Sequence, residues 1–509
     1  MKANREMWGS KLGVILAVAG SAIGLGNFLR FPTQAVIHGG GAFLVPYFIS
    51  LLLLGIPLMW MEWTIGRYGG GFGHGTAPGV FQSLWKKNRF IKYFGVIGIF
   101  GPLVILIYYT YIESWLLGYT FYSLTPKFQE ALATGQIANF LSGYQGLEKN
   151  QFFSSLIPAY LFFLVTFFTN FAIISRGINK GVAKLCKVAL PFLFVMGIIL
   201  VIRILMIDGI STGFKFLWTP DFSMLKSAKV WLAAAGQVFF TLSVGIGVIL
   251  TYSSYLKKTD DIVSSGLSSV ATNEFAEIIL GSSIIIPAAF LFFGGNATVE
   301  IAGSGAFNLS FVTMPIIFAK MKFGLFFAFI WFLLLFIAGI TSSISLIQPS
   351  ISFLEDEFDI SHEKAVKIIG LFCFVLCHIP ILFISKGVLG ELDFWAGTFC
   401  LVLFATIEAF LFSWVFGINE AWKEIHHGAT IGLPRIYKFI MKYVTPFFLL
   451  IILVNWIIQE GIPVILMHNV APENKAYILM TRIVLLLIFF ILVVMVKVAW
   501  RKRKLSSDS

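Results

Sequence analysis

The sequence predicts an all-α integral membrane protein with about twelve transmembrane helices and no separate soluble domain. Hydrophobic residues make up 58% of the 509 residues and charged residues only 12%, and the mean hydropathy is +0.89. Apolar runs of about 20 residues, enough for a helix to cross a hydrocarbon core about 30 Å thick, recur from end to end. We therefore expect 1–509 to form a single transmembrane domain.

Twelve apolar runs meet this length criterion, and each is expected to form one membrane-spanning helix. In chain order, these runs begin near Leu12, Gly41, Phe90, Phe152, Val182, Val230, Ile262, Phe323, Ala365, Val388, Lys438 and Tyr477. The longer polar intervals at 123–150, 208–228, 294–322 and 417–434 are expected to be loops.

The net charge of +12 is distributed as an orientation signal rather than as a nucleic-acid surface. Basic residues lie at alternate ends of the apolar runs, at Lys2, Arg5, Lys11, Arg67, Lys86, Lys87, Arg89, Arg176, Lys180 and 501–504. Cytoplasmic loops of membrane proteins carry an excess of Lys and Arg. We therefore expect both termini to be cytoplasmic, in agreement with an even number of spans, and the chain to cross the inner cell membrane many times.

Glycine pairs interrupt the first and sixth apolar runs at matching places. Residues 20–32 read GSAIGLGNFLRFP, and residues 239–249 read FFTLSVGIGVI. A single Gly-x-Gly in a span is more often a helix-packing feature. Two matching interruptions in corresponding halves of a hydrophobic region indicate instead the binding site of a transporter.

The interruptions also indicate which ligand they suit. Unwound backbone at membrane depth survives only where it is buried in protein or lines a cavity. Its free N–H groups favour an anion and its free carbonyls a cation. Since a zwitterion offers both charges and glycine lets a ligand approach the backbone closely, the pattern predicts a small α-amino acid.

Neutral oxygen ligands cluster near the same interruptions. Asn27 follows the first, Thr241 begins the second, Asn273 lies within the seventh run, and residues 338–343 of the eighth read AGITSS. Hard cations bind carbonyl, amide and hydroxyl oxygens, and a set without carboxylates suits a monovalent ion, which we infer to be sodium. For any one of these residues alone, an interhelical hydrogen bond would be the preferred interpretation.

Several ionisable residues lie within the spans, where burial of charge is costly. Glu277 comes one helical turn after Asn273, and Glu62 and Glu113 are expected to anchor freed amides or polar neighbours. Two opposite-charge pairs are candidate gates, Arg30 with Asp393 at the extracellular end and Arg5 with Asp356 at the cytoplasmic end. A lone surface ion pair would have little energetic value.

The motifs together resemble the neurotransmitter:sodium symporter family, of which the chain looks like a bacterial member. The matching segments are WGSKLGVILAVAGSAIGLGNFLRFP, GIPLMWMEWTIGRYGG, YYTYIESW, GQVFFTLSVGIG, NEFAEIILG, AGITSSIS and ELDFWAGT. The resemblance implies an inverted five-plus-five repeat with helices one and six broken. The two repeats would span 11–206 and 228–413, and 433–499 would supply two additional helices.

The resemblance also implies two sodium ions and a substrate site. The first sodium would be held by the substrate carboxylate with Ala22, Asn27, Thr241 and Asn273, and the second by Gly20, Ile23, Ala338, Thr341 and Ser342. The substrate backbone would contact Ala22, Leu25, Gly26, Tyr109, Phe240, Thr241 and Ser243. Tyr109 is preferred to Tyr108 by its distance from Glu113.

Selectivity for the substrate side chain is expected from Ile105, Phe240, Ile246 and Leu346, with Ser342 at the edge. This lining carries no charge, so a hydrophobic or neutral, leucine-like L-amino acid is expected. The sequence departs from a bacterial relative in the family that has an aromatic residue at the position of Ile246. The order of preference among such amino acids stays open.

Glu277 stands where chloride-dependent relatives have a neutral residue, so the resemblance implies chloride independence, with proton antiport as a weaker alternative. Tyr255 and Gln348 match positions that brace the Arg5 region. The chain lacks the second histidine of a zinc-enzyme helix after His362 and Glu363, and Gly24-Leu25-Gly26 opens no nucleotide-binding turn, so an enzyme is not expected.

Two alternatives remain at this point, a membrane amino acid sensor and a sodium-independent carrier of the same fold. The expected partners are an amino acid, sodium and the lipid bilayer, with a homodimer as a candidate assembly.

Overall fold

The computed structural model describes residues 6–468 and 470–507, with side chains up to 503. Throughout this part of the chain the secondary structure is helical, without strands. Ten helices are long and apolar enough to cross a membrane. They are α2 (Gly41–Gly70), α3 (Ile91–Tyr122), α4 (Ile157–Ile174), α5 (Ile178–Leu205), α7 (Ile262–Phe293), α8 (Gly324–Phe358), α9 (His362–Leu382), α10 (Val388–His426), α11 (Ile436–Ile465) and α12 (Pro472–Arg503).

Two further predicted spans are each broken into two helices. The first comprises α1a (Lys11–Ala22) and α1b (Gly26–Ile37), which meet at an angle of 46°. The sixth comprises α6a (Ala228–Leu242) and α6b (Val248–Ser253). The described residues therefore contain the twelve spans that the apolar runs predict, with breaks in the first and the sixth.

The intervals predicted as loops contain short helices. The interval 294–322 holds two of them, Gly295–Gly303 and Ala306–Ala319, which reverse direction through 120°. The fourth span begins at Ile157 rather than near Phe152, and α10 continues to His426 past Gly417, which has a φ of 89°. Polarity alone therefore did not identify the helices in these intervals, because short amphipathic helices carry many polar residues.

Local sequence fixes where key helices begin. The Ser10 hydroxyl accepts a hydrogen bond of 3.1 Å from the Gly13 amide at the start of α1a. The Asp261 carboxylate accepts one of the same length from the Ser264 amide at the start of α7. A side-chain acceptor at this position satisfies an amide that has no partner within the helix.

The helices differ sharply in how much lipid-facing surface they present. In α3 the most apolar stretch is 83% buried, whereas in α11 and α12 the corresponding shares are 22% and 28%. Helix α3 packs along α8, and α1a packs between α7 and α8. The two broken helices therefore lie inside a ring of continuous helices, with α11 and α12 at the periphery.

Candidate functional site

The break in α1 leaves backbone groups free between Ala22 and Gly26. The Asn27 side-chain oxygen accepts a hydrogen bond from the Gly24 amide at 2.9 Å. The Leu25 amide points to the Tyr109 hydroxyl at 3.4 Å. Side chains from α1b and α3 therefore replace the helical partners that this segment lacks.

The break in α6 results from three residues in the left-handed region. Ser243, Gly245 and Gly247 have φ values of 53°, 77° and 78°. The Gly245 amide donates to a carboxylate oxygen of Glu62 on α2, and the Ser243 hydroxyl donates to the Ser21 carbonyl at 3.0 Å. Glu62 therefore anchors a freed amide, as expected from the sequence, and Ser243 joins the two breaks directly.

A cavity of about 310 Å³ lies where the two breaks face α3 and α8. Ten of the eleven predicted substrate residues line it, namely Ala22, Leu25, Gly26, Ile105, Tyr109, Phe240, Ser243, Ile246, Ser342 and Leu346. The eleventh, Thr241, is buried beside the cavity and belongs to a polar cluster described next. A Cβ atom on Gly26 would lie 2.7 Å from the Phe240 ring, so a larger residue there would have to displace that ring.

The polar cluster joins α1b, α6a and α7. The amide nitrogen of Asn27 lies 3.2 Å from the Thr241 hydroxyl, 2.9 Å from the Asn273 oxygen and 3.1 Å from a Glu277 oxygen. Asn273 also donates to Thr241 at 3.1 Å, and Gln237 donates to Glu277 at 2.9 Å. All of these side chains are buried.

This donor set fits a hard monovalent cation. The side chains of Asn27, Thr241 and Asn273 bring three neutral oxygens to this cluster, beside the Glu277 carboxylate. Such oxygens are the ligands that hard cations take.

A second group of oxygens lies between α1a and α8. The Ser342 hydroxyl is 3.4 Å from the Gly20 carbonyl, 3.0 Å from that of Ser21 and 3.4 Å from that of Ile23. The Thr341 hydroxyl is 3.1 Å from the Ala338 carbonyl. Gly20 and Thr341 also lie close together. The five residues predicted to bind the second ion therefore lie next to one another between α1a and α8.

The two tyrosines at the start of YYTYIESW have different partners. Tyr109 faces Leu25 at the break, as described above, whereas the Tyr108 hydroxyl donates to Asp393 at 2.6 Å. The predicted assignment of the substrate-facing hydroxyl to Tyr109 is consistent with this geometry. Tyr108 is a gate neighbour that the sequence did not identify.

The predicted outer gate is at the mouth of the cavity. Arg30 and Asp393 both line it, but the ion pairs among the described residues do not include this one. The Arg30 guanidinium lies instead over the Phe240 ring, 4.4 Å from its centroid. The cavity is therefore continuous from the helix breaks to the gate residues.

The opposite end is closely packed. The Gln348 amide donates to the Tyr255 hydroxyl at 3.2 Å, and that hydroxyl lies 2.6 Å from Ser352. The Trp8 indole donates to the Tyr252 carbonyl at 2.8 Å. Of the predicted inner gate, Asp356 is buried and its carbonyl accepts a hydrogen bond from Arg503 at 2.9 Å, while Arg5 lies outside the described residues.

Sequence reasoning missed several polar side chains at the site. The hydroxyls of Ser21 and Ser345 are 2.7 Å apart in the cavity wall. Glu274 accepts a hydrogen bond of 2.9 Å from Tyr47 beside the polar cluster. Pairings of this kind join residues more than 200 positions apart, so no local pattern reveals them.

The chain matches known proteins over nearly its whole length. The family model described as the sodium:neurotransmitter symporter family matches residues 5–139 and 138–502. An uncharacterized sodium-dependent transporter of Methanocaldococcus jannaschii is 32% identical over 456 residues, which cover 87% of this chain and 89% of that protein. The sodium-dependent serotonin transporter of Drosophila melanogaster is 28% identical over 487 residues, covering 88% and 76%.

A solved structure also has a similar fold. The crystal structure of MhsT in complex with L-phenylalanine is 29% identical and superposes with a TM-score of 0.75. The match covers 89% of this chain and 99% of that chain. The chain therefore belongs to the sodium:neurotransmitter symporter family and is a sodium-dependent membrane transporter, not an enzyme.

Proposed function

We propose that the protein imports hydrophobic or neutral L-amino acids of about the size of leucine, coupled to two sodium ions, by alternating access. The observation that carries this proposal is the cavity of about 310 Å³ at the meeting point of the two helix breaks. It combines backbone groups of both polarities with an apolar wall, and this is the chemistry of a zwitterion with a hydrophobic side chain.

The ends of the broken helices supply the two polarities. Helices α1a and α6a end at the cavity at Ala22 and Leu242, so their terminal carbonyls offer partial negative charge to an amine. Helix α1b begins there, and the positive end of its dipole together with the Tyr109 hydroxyl would favour a carboxylate. An α-amino acid satisfies both sets at once.

The side-chain part of the proposed site is mostly aliphatic. Ile105, Ile246 and Leu346 line it with the Phe240 ring, and no charged side chain from this part of the cavity could pair with an acidic or basic substrate. The hydroxyls of Ser21, Ser342 and Ser345 add a polar edge. Since the similar MhsT structure holds L-phenylalanine, we include aromatic amino acids in the proposed range.

Coupling would arise because both ions connect parts that must move relative to each other. The polar cluster would hold the first sodium with Asn27, Thr241, Asn273, the Ala22 carbonyl and the substrate carboxylate, so substrate would complete that site. The second sodium would join the Gly20 and Ile23 carbonyls to Ala338, Thr341 and Ser342 on α8. A ligand shifts a conformational equilibrium only through such differential contacts.

Further parts of the proposal concern anions, orientation and symmetry. The Glu277 carboxylate beside Asn27 and Gln237 would supply the negative charge that chloride provides in other members, so transport would not need chloride.

The distribution of basic residues supports cytoplasmic termini in an inner cell membrane. One break in the first helix of each half supports the division into repeats at 11–206 and 228–413, with 433–499 added.

The test is uptake of radiolabelled leucine into proteoliposomes with an inward sodium gradient, compared with potassium. We expect accumulation with sodium only. The double variant Thr341→Ala with Ser342→Ala should lose it, because the proposed second site would then keep only backbone carbonyls as ligands.

A matched control is Thr272→Ala, which removes an exposed hydroxyl that bonds only to the Ser268 carbonyl at 2.7 Å. This variant should transport normally. Sodium-dependent binding without accumulation would indicate a sensor instead, and equal uptake in potassium would indicate a carrier that does not use the proposed second site.

A further inference from the structure

A turn between α2 and α3 presents three cations away from the protein. Lys86, Lys87 and Arg89 are exposed, and none of them belongs to an ion pair among the described residues. The Lys86 ammonium lies over the exposed Phe72 ring, 4.9 Å from its centroid. These charges are therefore available to a ligand.

Side-chain hydrogen bonds tie the backbone of the turn together, although its basic side chains are exposed. The Gln82 amide donates to the carbonyls of Trp85, Lys86 and Asn88 at 3.2, 3.4 and 3.1 Å. The Asn88 side chain accepts a hydrogen bond from the Phe90 amide at 2.9 Å. A fixed backbone lowers the entropy that the cations would lose on binding an anion.

The end of α12 packs against the start of α3, which follows this turn directly, and the Lys92 ammonium of α3 donates to the Arg89 carbonyl of the turn. The Trp500 ring is 5.7 Å from the Lys92 ammonium at the start of α3 and stacks on His74 at 5.8 Å. Arg503 approaches the same ring and turns inward to Glu357 at 2.9 Å. The nearby carboxylate is therefore occupied by inward partners and does not neutralise the outward cations.

The lipid-facing stripe of α12 leads into this basic end. Phe490, Val494 and Val498 are 63%, 39% and 47% exposed and lie on one helix face. Lys497 and Arg501 continue that face and are exposed. Phe90 of the turn and Phe94 in the first turn of α3 are 73% and 52% exposed. Trp500, beside the Lys92 ammonium, is of the residue type that is enriched at the membrane–water interface.

We propose that the turn cations Lys86, Lys87 and Arg89, with Lys497 and Arg501 of α12, form a binding site for the headgroup of an anionic phospholipid. The phosphate would lie between the turn and the end of α12, with Phe90 and Phe94 against the upper acyl chains. Clusters of Lys and Arg next to a span attract anionic lipid from the adjoining leaflet. In the orientation proposed above, this is the cytoplasmic leaflet.

The test is native mass spectrometry of the purified full chain titrated with phosphatidylglycerol or with phosphatidylcholine. We expect a tight complex with phosphatidylglycerol only. Replacing Lys86, Lys87 and Arg89 with Gln should weaken it roughly 100-fold, the combined effect of three interfacial cations. Gln82→Ala, which keeps every charge but loosens the turn, should weaken it several-fold.

The control removes three cations elsewhere on the surface, with Lys226, Lys229 and Lys322 replaced by Gln. These lysines are exposed and distant in sequence from both parts of the site. The control should bind phosphatidylglycerol as the parent does. Equal losses in both triple variants, or equal binding of phosphatidylcholine, would overturn the proposal. Displacement by an equal concentration of sn-glycerol 3-phosphate would assign the cations to a soluble phosphate and would also overturn it.

Discussion

Glu277 is the residue on which we expect the anion requirement of transport to depend. Its carboxylate is buried among Asn27, Thr241 and Gln237, next to the proposed first sodium. Replacing it with serine removes a negative charge where a cation must bind, and chloride can then supply that charge. We expect Glu277→Ser to lose most leucine uptake in chloride-free buffer and to regain it as chloride is added.

The control for this experiment is Glu300→Ser, which removes an exposed carboxylate that follows α7. This variant and the parent should take up leucine equally well with chloride or gluconate. A Glu277→Ser protein that stays active without chloride would show that the negative charge comes from elsewhere. The nearest other carboxylate is Glu274, which bonds to Tyr47.

Single residues of the site differ in how far the sequence could predict them. Asn27, Thr241 and Asn273 stand out because amides and hydroxyls are conspicuous in apolar runs, and the structure brings them within hydrogen-bonding distance. Ser21 and Ser345 do not stand out, although their hydroxyls meet across the cavity. Serines also bond to their own helix, so a sequence alone does not tell which of them face a ligand.

The broken helix α6 is the element whose geometry we expect to be least tolerant of change. Gly247 has a φ of 78°, and a Cβ atom there would overlap the Gly98 carbonyl of α3. An L-residue in this conformation costs about 1–2 kcal/mol before any overlap is counted. We expect Gly247→Ala to lower the melting temperature of the purified protein and to abolish leucine binding.

A matched control lies in the same helix. Gly236 of α6a has ordinary helical geometry, and a Cβ atom there would meet nothing within 4 Å. Alanine is favoured over glycine within a helix by about 0.5–1 kcal/mol, so Gly236→Ala should be as stable as the parent or more stable. If both variants lost thermal stability and leucine binding to a similar extent, α6 would tolerate no added methyl group, whether or not the substituted residue has a positive φ.

At the scale of elements, the breaks were predictable and the hairpin of short helices was not. Paired glycines at matching places identify α1 and α6 as interrupted. The helices Gly295–Gly303 and Ala306–Ala319 fall in an interval that was predicted as loop. Their reversal through 120° leaves Phe307 in the cavity wall, a position set by tertiary packing rather than by any periodicity.

The molecule as a whole has one end of its central pathway open and the other closed. The cavity reaches Arg30 and Asp393, which do not pair with each other among the described ion pairs. The other end is closed by the hydrogen bonds of Trp8, Tyr255 and Gln348. With the proposed orientation, this arrangement faces outward and is ready to receive substrate and sodium.

This asymmetry can be tested with single cysteines, because the four native ones, Cys186, Cys373, Cys377 and Cys400, are buried. Phe307→Cys would place a thiol in the wall of the cavity, and Ser352→Cys would place one in the closed network. In sodium without substrate, we expect a water-soluble maleimide to label the first site several-fold faster than in potassium. The second site should show the reverse, since the two thiols report opposite ends of one equilibrium.

Adding leucine in sodium separates gating from simple binding. Substrate in the cavity would draw α1b and α10 together at the mouth, so labelling at Phe307→Cys should slow. The inner thiol at Ser352→Cys should become more reactive as the loaded protein reaches the inward-facing state. If sodium and leucine changed neither rate, neither ligand would select between the two states and the proposed gating would be wrong, because a ligand without differential affinity shifts no equilibrium however tightly it binds.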